Sequence, residues 1–144
     1  MDTSCEPTSS VQELVGYGDN ELIPITRDDV TVVIPTLNEE EAISHVLEDV
    51  KNHGYKNILV VDGDSFDNTV NQVKKHGVEI IRQRGKGKTG AIETALEHVS
   101  TPYFVLMDGD CTYGAEDIER LFPLMVNSQL VIGSRSSGRE NITY

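Results

Sequence analysis

Cysteine is scarce. Of 144 residues only Cys5 and Cys111 are cysteines, far apart and in no C-x-x-C pair, which removes both a disulfide framework and a thiolate zinc site. A reducing cytoplasm is the expected setting, with the protein either free or peripheral at the cytoplasmic face of a membrane. Long apolar runs are also missing, and the opening MDTSCEPTSS has neither a basic stretch nor an apolar one. The sequence as given is therefore expected neither to span a membrane nor to carry a signal peptide. Positive charge is in short supply, with 12 Lys and Arg against 24 Asp and Glu and a net charge of −12. That excludes a nucleic-acid or anionic-membrane surface held by bulk charge, so an anionic ligand must be bound by local chemistry. No internal repeat occurs, no G-x-S-x-G elbow, and no H-x-x-x-H pair among His45, His53, His76 and His98. Cys111 follows Asp110 in an acidic setting that disfavours a thiolate, so hydrolase chemistry has little support.

What is present divides into two parts. Met1 to Asp29 holds seven acids and one base and is expected to be an acidic N-terminal extension, with a short apolar patch at Leu22 to Ile25 that docks on the domain edge. Residues 30–144 are expected to form one compact domain. From Val30 short β-branched runs alternate with amphipathic stretches, the pattern of strand–helix units around a parallel sheet. The expected strands are Val30–Ile34, Ile58–Val61, Glu79–Ile81, Tyr103–Met107 and Gln129–Ile132, nearly continuous in apolar residues as burial on both faces requires.

Four helices fill the gaps. The first is expected to start after Asn38 as N-cap, with Glu39, Glu40 and Glu41 in its first turn and Ile43, Val46, Leu47 and Val50 inward. The second runs from about Asp67 to His76 and is closed by Gly77. The third opens near Gly87 and turns Ile92, Ala95, Leu96 and Val99 inward. The fourth covers about Ala115 to Val126, with Pro123 expected to kink or shorten it.

Right-handed crossovers place all strand C-termini at one edge. The residues that follow the strands are Pro35-Thr36-Leu37-Asn38-Glu39, then Asp62-Gly63-Asp64-Ser65, then Arg82-Gln83-Arg84-Gly85-Lys86-Gly87-Lys88, then Asp108-Gly109-Asp110. Aspartates gathered in one crevice repel one another unless a divalent cation lies among them. Asp108 and Asp110 around Gly109 can approach one hard ion, and Mg2+ or Mn2+ with positions open to diphosphate oxygens fits such oxygen ligands. The plainer reading of Asp62 and Asp64 is as turn formers, with Ser65 capping the next helix. The third loop holds four of the twelve Lys and Arg residues just before a helix N-terminus, a phosphate-facing arrangement whose plainer alternative is a solvated basic turn.

Two motifs are half-matched there. Gly87-Lys88-Thr89 ends like a phosphate-binding P-loop, but Arg82 stands where its first glycine is required, so that pattern fails. Gly85-x-Gly87-x-x-Gly90 fits a dinucleotide fingerprint, although on the third strand rather than the first, which leaves a nicotinamide-dependent oxidoreductase as an alternative.

Val32-Val33-Ile34-Pro35-Thr36-Leu37-Asn38-Glu39-Glu40, then Val60-Val61-Asp62-Gly63-Asp64-Ser65-Phe66-Asp67-Asn68-Thr69, Gly85-Lys86-Gly87, Asp108-Gly109-Asp110 and Ile132-Gly133-Ser134-Arg135 resemble, in order, the family-2 glycosyltransferases, especially the dolichyl-phosphate mannose synthase-like branch. The resemblance runs from Val30 to about Arg135. It implies a glycosyltransferase A-type fold, Rossmann-like, that binds a nucleotide-diphosphate sugar. By motif position Pro35, Leu37, Glu39 and Asp62 would line the nucleoside pocket. Asp108 would approach ribose or metal, Asp110 would hold the metal, and Arg135 and Lys86 would meet the diphosphate. Asp110 and Arg135 would thus carry the catalytic role. Family members often read Asp-Asp-Gly-Ser where this chain has Asp62-Gly63-Asp64-Ser65, so the second acid is displaced by one residue.

The implied reaction is inverting transfer of a hexose from a GDP- or UDP-sugar to a lipid-linked phosphate or a sugar acceptor, with Mg2+ or Mn2+ as cofactor. The sequence ends at Tyr144, nine residues after Arg135, where the family continues with an acceptor-binding region. The expectation is therefore a donor half, whose alternative is a non-catalytic nucleotide-sugar-binding module. A second copy of the chain or a separate acceptor or membrane subunit is the expected protein partner.

Overall fold

The computed structural model describes residues 24–133. A short 3-10 turn, Arg27–Asp29, leads into β1 (Val30–Thr36), followed by α1 (Ile43–Asn52), β2 (Ile58–Asp62), α2 (Thr69–Lys75), β3 (Glu79–Arg82), α3 (Gly87–Leu96), β4 (Tyr103–Leu106) and α4 (Glu116–Met125). The four strands form one sheet in the order β3-β2-β1-β4, and every pairing is parallel. The expected α/β architecture is the observed one.

Period-two alternation decides which side chain enters which layer. Val32 and Ile34 of β1 and Ile58 and Val60 of β2 pack with Ile43, Val46, Leu47 and Val50 of α1, Val73 of α2 and Ile118 of α4. Val33, Leu59 and Val61 point the other way, onto Ala91 and Ala95 of α3. The sheet is thus covered on both faces, which is why its central strands are apolar at consecutive positions. Each fully buried Val, Leu or Ile among them contributes roughly 1.5–3 kcal/mol relative to an exposed one.

Several expected elements differ from the observed ones. Helix α1 begins at Ile43, not after Asn38. Asn38 has a left-handed backbone with φ of 56° and spends its side-chain oxygen on Phe66 N, so it caps nothing. Glu39 O instead accepts Ala42 N and Ile43 N in a turn ahead of the helix, which removes Glu39, Glu40 and Glu41 from the first helical turn. Helix α3 buries Gly90, Ala91, Thr94 and Ala95, while Leu96 is exposed, because close approach to the sheet selects small residues over the apolar stripe. Helix α4 runs through Pro123 to Met125.

The expected fifth strand over Gln129–Ile132 does not form. Its Leu130 and Ile132 are 75% and 77% exposed, and β4 is an edge of the sheet. A β-branched run becomes a strand only where a neighbouring strand offers its hydrogen bonds, and none is paired there among the described residues.

Candidate functional site at the C-terminal edge of the sheet

Parallel pairing aligns the strand ends. Thr36 lies opposite Asp62, and Asp62 opposite Arg82. Asp62 is 6% exposed and accepts three hydrogen bonds, from Ser65 N at 2.9 Å, Ser65 Oγ at 2.6 Å and Thr36 Oγ1 at 3.2 Å. A carboxylate offers about four lone-pair positions, so three donors leave about one for a ligand. Ser65 therefore closes the loop onto Asp62 rather than capping α2. Asp64, in a left-handed conformation, turns outward and is held below its usual carboxylate range by its hydrogen bond to Arg82.

The loop after β1 is riveted to the loop after β2. Asn38 N donates to Ser65 Oγ at 2.8 Å, Phe66 N to Asn38 Oδ1 at 2.9 Å, Glu39 N to Thr69 Oγ1 at 2.8 Å and Asn68 N to Glu40 Oε2 at 2.9 Å. These cross-links place Pro35, half-buried, and Leu37, exposed, on the rim beside Asp62. Non-glycine residues with left-handed backbones among the described residues are Asn38, Asp64 and Cys111, each in a loop that follows a strand at this edge. Such strained positions persist only where surrounding contacts over-determine them, and they concentrate at functional sites.

The Asp108-Gly109-Asp110 turn lies on the end of β1. A Cβ at Gly109 would meet Thr36 Cγ2 at 3.2 Å and Ile34 Cγ2 at 3.3 Å, so a side chain there would push the turn or its neighbours apart by a few tenths of an ångström. That approach brings the acids together. The Glu39 carboxyl is pushed above its ordinary value, first by burial and then by repulsion from Asp110, Asp67 and Asp108. Asp110 is exposed and Oδ1 accepts Thr112 N at 3.0 Å.

The basic loop is less phosphate-facing than its composition suggests. Arg82 pairs with Asp64 and Arg84 with Glu97, both on the surface. Lys86 is exposed at the N-cap of α3 and makes no ion pair among the described residues. Lys88, at the second position of α3, reaches Asp108 Oδ1 at 2.8 Å. The glycines of the half-matched fingerprint have local work. Gly85 and Gly87 take φ of 78° and 63°, and a Cβ at Gly90 would lie 2.7 Å from Arg84 O. Their spacing builds the loop and its close packing on α3, which explains the pattern without a dinucleotide. Arg135 lies outside the described residues.

Among the described residues no group of three or more His, Cys, Asp or Glu side chains is arranged to hold a metal ion. Asp108 and Asp110 offer hard oxygen donors, and Mg2+ is commonly bound by one or two carboxylates with the remaining positions filled by water and substrate phosphate. The donor chemistry therefore fits Mg2+ or Mn2+ if the ligand completes the shell. Sequence reasoning placed Glu39 with the nucleoside alone and counted Lys88 only as one of the bases of a phosphate-facing loop, with no role of its own. The spacing of Lys88 from the helix start was visible, but its partner across the crevice was not.

Comparison with known proteins agrees with this geometry. Residues 31–143 match the family described as Glycosyl transferase family 2. The chain is 39% identical over 112 residues to "Glycosyltransferase AglJ" of Haloferax volcanii, which covers 76% of this chain and 37% of that protein. It is 36% identical over 102 residues to "Dolichyl-phosphate hexose transferase" of the same organism, covering 69% and 44%. The structure of glucosyl-3-phosphoglycerate synthase from Mycobacterium tuberculosis, solved with Mn2+, UDP-glucose and phosphoglyceric acid, superposes with a TM-score of 0.62 at 21% identity, over 69% of this chain and 40% of that one. The chain thus spans less than half the length of each of these proteins, and its sheet with flanking helices is the glycosyltransferase A-type fold. By the match over most of its length, the chain belongs to glycosyl transferase family 2.

Proposed function

We propose that this chain supplies the donor site of an inverting, metal-dependent glycosyltransferase of the dolichyl-phosphate mannose synthase-like branch, passing a hexose from GDP- or UDP-sugar to a polyprenyl phosphate. The observation that carries it is the convergence of Glu39, Asp108 and Asp110, with Lys88 paired to Asp108, at the C-terminal edge of the sheet. Acids and bases in one crevice suit a metal–diphosphate pair better than either charge alone. The relative named for dolichyl-phosphate hexose transfer supports the acceptor class, and the neighbour solved with Mn2+ and UDP-glucose supports the donor and cofactor classes.

In this reading residues 30–144 form the catalytic domain and residues 1–29 an extension to it. Pro35, Leu37, Glu39 and Asp62 line the nucleoside pocket, and the remaining acceptor position of Asp62 takes a base N–H. Asp110, with Asp108, holds Mg2+ or Mn2+, and Lys86 and Arg135 face the diphosphate. The bound cation would neutralise charge on the departing diphosphate, commonly the largest catalytic contribution in such sites. The chain's own groups then have two tasks. Lys86 and Arg135 stabilise the leaving oxygens as the C1–O bond to the diphosphate breaks, and the nucleoside pocket holds the sugar so that the acceptor oxygen attacks C1 from the opposite face. A polyprenyl phosphate needs no general base, because a phosphate monoester with a second pKa of about 6 is already ionised near neutrality.

Calorimetry with Mn2+ and a panel of nucleotide-sugars tests the reading. Binding of a GDP- or UDP-sugar that requires Mn2+ and is lost in Asp110→Asn is the expected result. Metal-independent binding of NADH with no heat from any nucleotide-sugar would replace it with the oxidoreductase alternative.

A further inference from the structure

Lys88 stands in the first turn of α3, where a cation faces the positive end of the helix dipole, an unfavourable position for it. It is nevertheless held with Nζ 2.8 Å from Asp108 Oδ1, its own side chain 58% exposed and that of Asp108 29%. Asp108 explains the placement. It adjoins Asp110 and Glu39, whose charges repel one another across the crevice. The ammonium therefore occupies a carboxylate that a divalent ion would also seek. An exposed ion pair of this kind is weak enough to exchange.

Resting on the proposed metal–diphosphate site, we infer that Lys88 is a positioning residue that acts as a built-in counter-ion. It holds Asp108 before the donor arrives, yields that carboxylate to the divalent ion, and then turns its charge to the donor diphosphate. Two consequences follow from linkage. Metal alone binds weakly, because it must first displace the ammonium from Asp108. Nucleoside diphosphate gives the released ammonium a partner, so metal and nucleotide strengthen one another reciprocally.

The test measures Mn2+ binding to the full chain by electron paramagnetic resonance, with and without UDP or GDP. The variants are Lys88→Met, Lys88→Arg and, as a control for net charge, Lys75→Met on the last turn of α2. Lys88→Met should bind Mn2+ alone about fivefold or more tighter than wild type and lose most of the strengthening that the nucleotide confers. Lys88→Arg should keep the wild-type pattern, and Lys75→Met should leave both affinities near wild type. Thermal melts confirm that the variants fold. Equal Mn2+ affinity in Lys88→Met and wild type, with nucleotide strengthening retained in both, would overturn the counter-ion role while leaving the metal site standing. Failure of wild type to bind Mn2+ with either nucleotide would remove both.

Discussion

A side chain at Gly109 would press on Thr36, with its Cβ 3.2 Å from Thr36 Cγ2. Thr36 is a buried, β-branched residue at the end of β1, and Ile34 Cγ2 at 3.3 Å closes the other side, so neither neighbour can rotate away freely. Gly109→Ala should therefore displace the Asp108–Asp110 turn from Glu39 without unfolding the sheet. The expected outcome is loss of Mn2+-dependent nucleotide binding by calorimetry, with a circular dichroism spectrum like that of wild type.

Gly90 carries a different constraint. An added Cβ would meet backbone rather than a movable side chain, Arg84 O at 2.7 Å and the Gly85 carbonyl carbon at 2.9 Å. Gly90→Ala should cost about 1–3 kcal/mol in urea unfolding, as overpacking does, and should weaken nucleotide binding because the loop bearing Lys86 must shift.

Ser65→Ala removes the hydroxyl that donates to Asp62 Oδ1 at 2.6 Å and accepts Asn38 N at 2.8 Å. It leaves a largely buried carboxylate short of one donor and uncouples the first two crossover loops. A loss of about 1–3 kcal/mol in stability is expected. Nucleotide affinity should fall with it, and Ser65→Thr should restore part of both if the hydroxyl is what matters.

The Glu39 carboxyl predicts a pH signature. Its native pKa lies above the ordinary value of 4.5, because burial and the neighbouring Asp110, Asp67 and Asp108 favour the neutral acid. The folded state thus holds this proton more tightly than the unfolded state. Glu39 is least costly below about pH 4.5, and its penalty grows as pH rises through the raised native pKa. Thermal melts of Glu39→Gln and wild type should therefore coincide at low pH and separate as pH increases, with the variant more stable. A separation that shrank with rising pH would contradict the arrangement of acids.

How much of this was legible in the chain differs from element to element. The strands were, because Val30 to Ile34 and Ile58 to Val61 are apolar at every or nearly every position, a pattern that suits a strand covered on both faces whatever surrounds it. The start of α1 was not. Asn38 has the chemistry of an N-cap, but about thirty residues on Ser65 and Thr69 accept the Asn38 and Glu39 backbone N–H groups, and Phe66 N takes the Asn38 side-chain oxygen. Leu96 was misassigned because helical periodicity states which residues share a face, not how near the sheet lies, and α3 approaches closely enough to prefer Gly90, Ala91 and Ala95. Gln129–Ile132 has strand composition and no strand, since its hydrogen bonds depend on a neighbour.

The candidate site divides in the same way. Asp62, Asp108 and Asp110 could be picked out from position alone, since each follows a buried strand and parallel topology sends all such residues to one edge. Their roles could not. By itself the sequence determined the parallel sheet, the edge where chemistry collects and the acidic character of that edge, because these follow from local hydrophobic pattern and chain connectivity. Only the tertiary structure decided that Asp62 anchors Ser65, that Arg82 and Arg84 are spent on surface partners, and that Lys88 meets Asp108. Ion pairs and hydrogen bonds between separate crossovers depend on distances of a few ångströms, and those distances are set by how closely each helix packs on the sheet.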